Sequence, residues 1–173
     1  MSIEIKMLDC PETVELTVGM GEIMVAESPY ALRCIGVGSC VAVALYDKAA
    51  AIGGLAHIML PQIAKSSDKS SPARYGDMAV AMMVNEMQER DVSICNLKAK
   101  IFGGANMFSN IISPDSTMNI GQRNISAVRE ELIKHDIEIV VEDVGGHVGR
   151  SVLFDMRDGS VVVKTTNVGE KNY

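Results

Sequence analysis

Tryptophan is absent from this 173-residue chain, and aromatic residues of any kind make up only 4% of it. A core built around stacked rings is excluded. Since 47% of the residues are nonetheless hydrophobic, the interior must be packed from Ala, Val, Ile, Leu and twelve Met, a soft but ordinary core. A surplus of basic charge is also missing: 16 Lys and Arg face 22 Asp and Glu, for a net charge of −6. That excludes a phosphate-backbone partner, whose binding needs a basic face to displace counterions, so no nucleic acid is expected. No apolar run reaches the ~20 residues of a bilayer span, and the start Met1-Ser2-Ile3-Glu4-Ile5-Lys6 lacks the basic-then-apolar layout of a secretory signal. The expectation is a cytoplasmic protein without membrane insertion. Cys10, Cys34, Cys40 and Cys95 contain no Cys-x-x-Cys pair, which argues against a zinc knuckle, and no metal is expected. In a reducing compartment the four are read as thiols.

What is present fits one domain over residues 1–173, a length that buries one substantial core. A polar, Ser-rich stretch at 62–72, closed by Pro72, reads as a mobile surface loop. Before it, β-type runs occupy 15–18, 22–26, 41–46 and 55–60. After it the period changes, because Val80, Met83, Val84 and Met87 fall at i, i+3, i+4, i+7 and predict a helix whose Met stripe is core. A strand follows at 99–102. A second helix is predicted over 122–134 from Ile125, Val128 and Leu132, with Asn119 or Asn124 beginning it. Strands recur at 138–142, 151–155 and 160–164, the last two joined by a turn at Met156-Arg157-Asp158-Gly159. Strands outnumber helices and several connections are too short for parallel crossovers. The expected fold is α/β (α+β), a layered sandwich with a largely antiparallel or mixed sheet and two main helices.

The chemistry-bearing stretch is Gly36-Val37-Gly38-Ser39-Cys40, which runs straight into the alternating sequence Val41–Tyr46. A nucleotide loop would open a helix or carry Gly-Lys-Ser/Thr, so the phosphate-cradle reading fails and no cofactor is expected. If Asp47–Ala50 form a four-residue hairpin loop, Tyr46 pairs with Ala51 and Cys40 lies directly opposite His57. Paired residues share a sheet face with Cβ atoms about 4.5–5.5 Å apart, which would let the imidazole take the thiol proton and leave a thiolate–imidazolium pair. Backbone N–H groups near Ser39 and Cys40 are candidates for an oxyanion site. A buried thiol beside a structural histidine is the plainer reading of the same residues. His135 is expected at a solvated helix end, and His147 in a Gly-rich turn is a candidate for lining a site.

Five blocks, in order, extend the reading: Gly36-Val37-Gly38-Ser39-Cys40-Val41-Ala42-Val43, Gly54-Leu55-Ala56-His57-Ile58-Met59-Leu60-Pro61, Lys100-Ile101-Phe102-Gly103-Gly104-Ala105-Asn106-Met107, Asn119-Ile120-Gly121-Gln122-Arg123-Asn124 and Asp143-Val144-Gly145-Gly146-His147-Val148-Gly149-Arg150. Over about 19–164 the chain resembles the chemoreceptor glutamine deamidase family CheD. The resemblance implies a prokaryotic chemotaxis hydrolase of layered sandwich fold, converting Gln side chains of methyl-accepting receptors to Glu with release of ammonia. It implies receptor glutamyl methyl esters as further substrates and a phosphatase of the CheC type as partner. It matches Cys40 to the nucleophile and His57 to the general base. The family's third catalytic residue, a Thr six places before the nucleophile, is Cys34 here, and sulfur is a weak acceptor for an imidazole N–H. Phe102, Asn106 and His147 are expected along the pocket wall. A non-catalytic binding protein for the receptor or the phosphatase is the alternative.

Overall fold

The structure is a computed structural model that describes residues 13–65, 67–107, 119–165 and 168–173. Ten strands divide between two mixed five-stranded sheets. Sheet one contains β1 (Val14–Thr17), β3 (Tyr30–Val37), β8 (Arg150–Asp155), β9 (Val161–Thr165) and β10 (Gly169–Asn172), in that spatial order. Sheet two runs β2 (Ile23–Glu27), β5 (Ile52–Ile58), β4 (Val41–Asp47), β6 (Lys98–Gly103), β7 (Glu138–Val144). Only β1–β3 and β6–β7 pair in parallel. The second of these is joined by α2 (Ile120–Lys134), as a parallel crossover requires. The expected layered α+β sandwich with a mixed sheet and two main helices is what the chain forms.

Sheet two is the middle layer, and the pleat of β4 makes it so. Val41, Val43 and Leu45 point towards the helices, while Ala42 and Ala44 point towards sheet one. On the helix side, α1 (Gly76–Gln88) buries Ala79, Val80, Met83, Val84 and Met87, so the Met stripe is core. Each such fully buried side chain contributes about 1.5–3 kcal/mol. Gly54 makes this packing possible, since a Cβ there would lie 2.6 Å from the Met83 sulfur. Helix α2 starts at Asn119, whose Oδ1 accepts from the Gln122 N–H at 3.2 Å, a cap of the kind worth about 1 kcal/mol. The 62–72 segment holds one single-turn 3-10 helix, Ile63–Lys65, and a second, Pro72–Arg74, begins at its last residue. It is anchored by the buried Tyr75, whose hydroxyl donates to the Asp68 carbonyl at 2.7 Å.

Three features depart from expectation, and one is β10, which follows the last expected strand and pairs with β9. Strand β3 was not among the expected runs, because Arg33 and the positive φ of Gly36 (74°) interrupt its alternation. The β4–β5 register also differs: Tyr46 pairs with Gly53, and Ala42, not Cys40, faces His57. The loop has the expected four residues but lies one position later, at 48–51. Asp47 looks like a turn residue, yet it is buried at the strand end, where its Oδ1 accepts from the Ala49 and Ala50 N–H groups. The resulting shift is two residues, which leaves Cys40 just before the ladder rather than opposite His57.

Candidate active site

Cys40 lies where the chain passes from one sheet to the other. Strand β3 ends at Val37 in sheet one, the backbone turns with Gly38 N–H donating to the Gly36 carbonyl at 3.0 Å, and β4 begins at Val41 in sheet two. The turn is fixed from its far side. Gly104 N–H donates to the Cys40 carbonyl at 2.7 Å and Ala105 N–H to the Gly38 carbonyl at 2.8 Å. Gly103, at φ 102°, has to be glycine, since a Cβ would sit 2.5 Å from the Cys40 carbonyl oxygen. The Gly103-Gly104 block is thus a backbone clamp on the turn that carries Cys40.

A second glycine turn backs the first. Gly145 N–H donates to the Gly103 carbonyl at 2.7 Å, and Asn106 N–H to the Gly146 carbonyl at 2.8 Å. His147 is exposed and its Nδ1 lies 3.1 Å from the Asn106 carbonyl. Arg150 holds this turn together, donating to the Gly145 and Val148 carbonyls and to Asp143 Oδ1 at 2.9 Å. Asn106 and His147 therefore stand on the outer side of the clamp, whereas Phe102 is fully buried between the sheets. Phe102 is floor rather than wall.

His57 is 1% exposed and points into the layer between the sheets. Across the strands it stands in a row with the small Ala42 and, beyond that, Phe102. Cys40, in the turn just before β4, packs against the same inter-sheet layer. The backbone of His57 is fixed by the β1–β2 turn, with its N–H on the Glu22 carbonyl at 3.0 Å and its carbonyl on the Gly21 N–H at 2.8 Å. Cys34 reaches the same layer from β3 and is fully buried.

Electrostatics correct the expected ion pair. Burial pushes the Cys40 thiol above its ordinary value, against a smaller lowering by its own backbone N–H. Burial also pushes the His57 imidazole down, and the backbone of Val18 offsets only part of this. Both desolvation effects favour the neutral forms over a thiolate–imidazolium pair. Neither ring nitrogen of His57 closes a hydrogen bond among the described residues. Cys34 is pushed up to about 12, first by burial and then by the adjacent Cys40. It is a neutral thiol.

One participant was missed as such. Asn124, expected at most to begin a helix, is fully buried on α2 and donates through Nδ2 to the carbonyls of Ser39 at 2.9 Å and Met59 at 3.0 Å. The signal in the sequence was an amide between the apolar positions of an amphipathic helix. His135 caps the C-terminal end of α2, 3.4 Å from Glu131, remote from the crossing.

Residues 59–165 match the family model described as CheD chemotactic sensory transduction. That span holds both glycine clamps and Asn124 but begins just after His57. Known proteins cover the remainder. The chain is 43% identical over 160 residues to the probable chemoreceptor glutamine deamidase CheD of Clostridium tetani (strain Massachusetts / E88), covering 92% of this chain and 96% of that protein. It is 44% identical to the protein of the same description from Clostridium kluyveri over 160 residues, 92% and 98% of the two chains. The counterpart from Clostridium botulinum (strain Hall) is 40% identical over 157 residues, 91% and 96%. On this match of family model and near full-length relatives, the chain belongs to the CheD family.

Proposed function

We propose that this protein hydrolyses the side-chain amide of selected glutamines in methyl-accepting chemoreceptors, with Cys40 as nucleophile and His57 as the proton carrier. The observation that supports the assignment of roles is that Cys40, in the turn leading into β4, packs against the inter-sheet layer into which His57, paired with Ala42, also points. The names of the relatives support the substrate class. His57, neutral at rest, takes the Cys40 proton as sulfur bonds to the amide carbon, and the oxygen becomes an oxyanion stabilised by backbone N–H donors of the Ser39–Cys40 turn. The carbon–nitrogen bond then breaks, and His57 returns its proton to nitrogen, releasing ammonia and leaving a thioester. Water, losing a proton to His57, adds to the thioester; the carbon–sulfur bond breaks and the proton goes back to sulfur. The product is a glutamate side chain, and a neutral group on the receptor has become an anion.

A glutamyl methyl ester presents the same carbonyl with methanol in place of ammonia, so ester hydrolysis belongs to the same reading. So do a cytoplasmic location, where the receptor's methylated helices lie, and competition by a CheC-type phosphatase that presents a receptor-like surface. Among the described residues no helix is long and apolar enough to cross a membrane. The test is incubation with receptor cytoplasmic fragments followed by peptide mass spectrometry. Gln-to-Glu conversion by the wild type and none by Cys40→Ala is expected. Conversion by Cys40→Ala would refute the nucleophile, and binding without conversion by the wild type would favour a pure binding protein.

A further inference from the structure

We propose that Asn124 is a positioning residue for the nucleophile, its side-chain amide setting the orientation of the Ser39–Cys40 peptide. This deepens the reading of Cys40 above and rests on it. The case begins with cost. A buried amide is expensive unless its hydrogen bonds are made, and the residues of α2 that join the apolar core beside it are Ile125, Val128 and Leu132. Asn124 is fully buried, its Oδ1 has no partner among the described residues, and its Nδ2 makes two contacts. Because both contacts are carbonyl oxygens, the amide can stand only with nitrogen towards them. It is therefore its donors that the site uses.

The two carbonyls belong to Ser39 and Met59, the residues just beyond the ladder that pairs Val41 with Ile58. Asn124 thus ties the two chains together past the open end of the β4–β5 ladder, beside the Cys40 turn. A trans peptide points its C=O and N–H in opposite directions. Holding the Ser39 carbonyl against α2 turns the Cys40 N–H away from the helix, towards its own Sγ and the layer where an oxyanion would form. The reach of α2 is itself set by backbone contact, since a Cβ on Gly121 would lie 2.5 Å from the Gly104 carbonyl oxygen. The helix therefore braces both sides of the turn, through Gly104 and through Asn124.

Two variants test this, Asn124→Leu, which keeps the volume and removes both donors, and Asn124→Asp, which keeps the shape. Each is assayed for kcat and KM on a receptor fragment, for the pH profile of Cys40 alkylation by iodoacetamide, and for thermal unfolding. Asn124→Leu is expected to lose kcat by about 10²-fold, the scale of a misplaced reacting group, with KM unchanged and with Cys40 alkylation moved to higher pH. Asn124→Asp has one donor when protonated and none when ionised, so its kcat falls with rising pH where the wild type is flat. Folded Asn124→Leu with wild-type kcat and alkylation profile overturns the proposal. If that variant does not fold, a wild-type pH profile for Asn124→Asp overturns it instead. Activity in Cys40→Ala would remove the nucleophile reading and this proposal together, whereas inactive Cys40→Ala beside fully active Asn124 variants removes this proposal alone.

Discussion

The two faces of sheet two are built from the same strands and differ in almost every respect. Towards the helices they present Val41, Val43, Leu45, Ala56 and Ile58 against Val80, Met83, Val84 and Met87, an apolar layer of large side chains. Towards sheet one they present Ala42, Ala44, Leu55, His57 and Phe102, with Cys34 and Cys40 alongside. The small residues of β4 thus lie on the side that carries titratable groups. One face is packed for cohesion, and the other gives up volume so that an imidazole and a thiol can stand in a dry layer. The difference shows how one sheet can be packed for cohesion on one face while carrying titratable groups on the other.

The sharpest way to break the comparison is to substitute one residue on each face. His57→Ala should lower kcat by about 10²–10⁴-fold, the usual contribution of a positioned acid–base group. Its unfolding temperature should fall less than that of a core truncation, because the cavity cost is offset by loss of a buried imidazole whose ring nitrogens close no full hydrogen bond. Met87→Ala, on the helix side, should cost about 2–5 kcal/mol in denaturant unfolding through the cavity it leaves, with kcat unchanged per folded molecule. If Met87→Ala impaired turnover as severely as His57→Ala, the division of labour between the faces would be wrong.

A smaller effect is expected in the pH profile. His57 is pushed below the ordinary imidazole value and Cys40 above the ordinary thiol value, so the active form, neutral base with protonated thiol, persists between them. The kcat/KM plateau should extend from below the first value to above the second. It falls on the acid side as His57 gains its proton and on the alkaline side as Cys40 loses the one needed for ammonia. A narrow bell centred near neutrality would instead indicate the thiolate–imidazolium pair. The smallest change is expected for Cys34→Thr, which places a hydroxyl acceptor in the layer where His57 has none and should raise kcat modestly. A large loss would make the Cys34 thiol itself necessary.

Much of this was legible before the fold was known, and what was not has physical reasons. The Met spacing of α1 and the alternation of β4 are local patterns, and they mark the core directly. The length of the hairpin loop was also legible, but its position was not. Asp47 serves equally as a turn residue or as a strand-end acceptor, and the choice depends on Asn96, whose amide donates to its Oδ2 at 3.2 Å. Strand β3 is concealed by Arg33 and Gly36, and with it the placement of Cys34 in the facing sheet. The direction in which Cys40 and His57 titrate depends on burial, which no spacing records. Asn124 meets Ser39 across 85 positions of sequence. Its meaning exists only once α2 lies against the sheet crossing.

The backbone clamp on the nucleophile turn also bears on time. Catalytic loops commonly belong to the least protected parts of a protein, opening locally on their way to substrate. Here the amides of Gly104 and Ala105 are spent on the carbonyls of Cys40 and Gly38, so they should exchange with deuterium as slowly as those of the central strands. A turn that does not open cannot remodel itself around different glutamines. Selection among receptor sites then falls to the substrate, through how readily its own helix yields the side chain to a fixed centre.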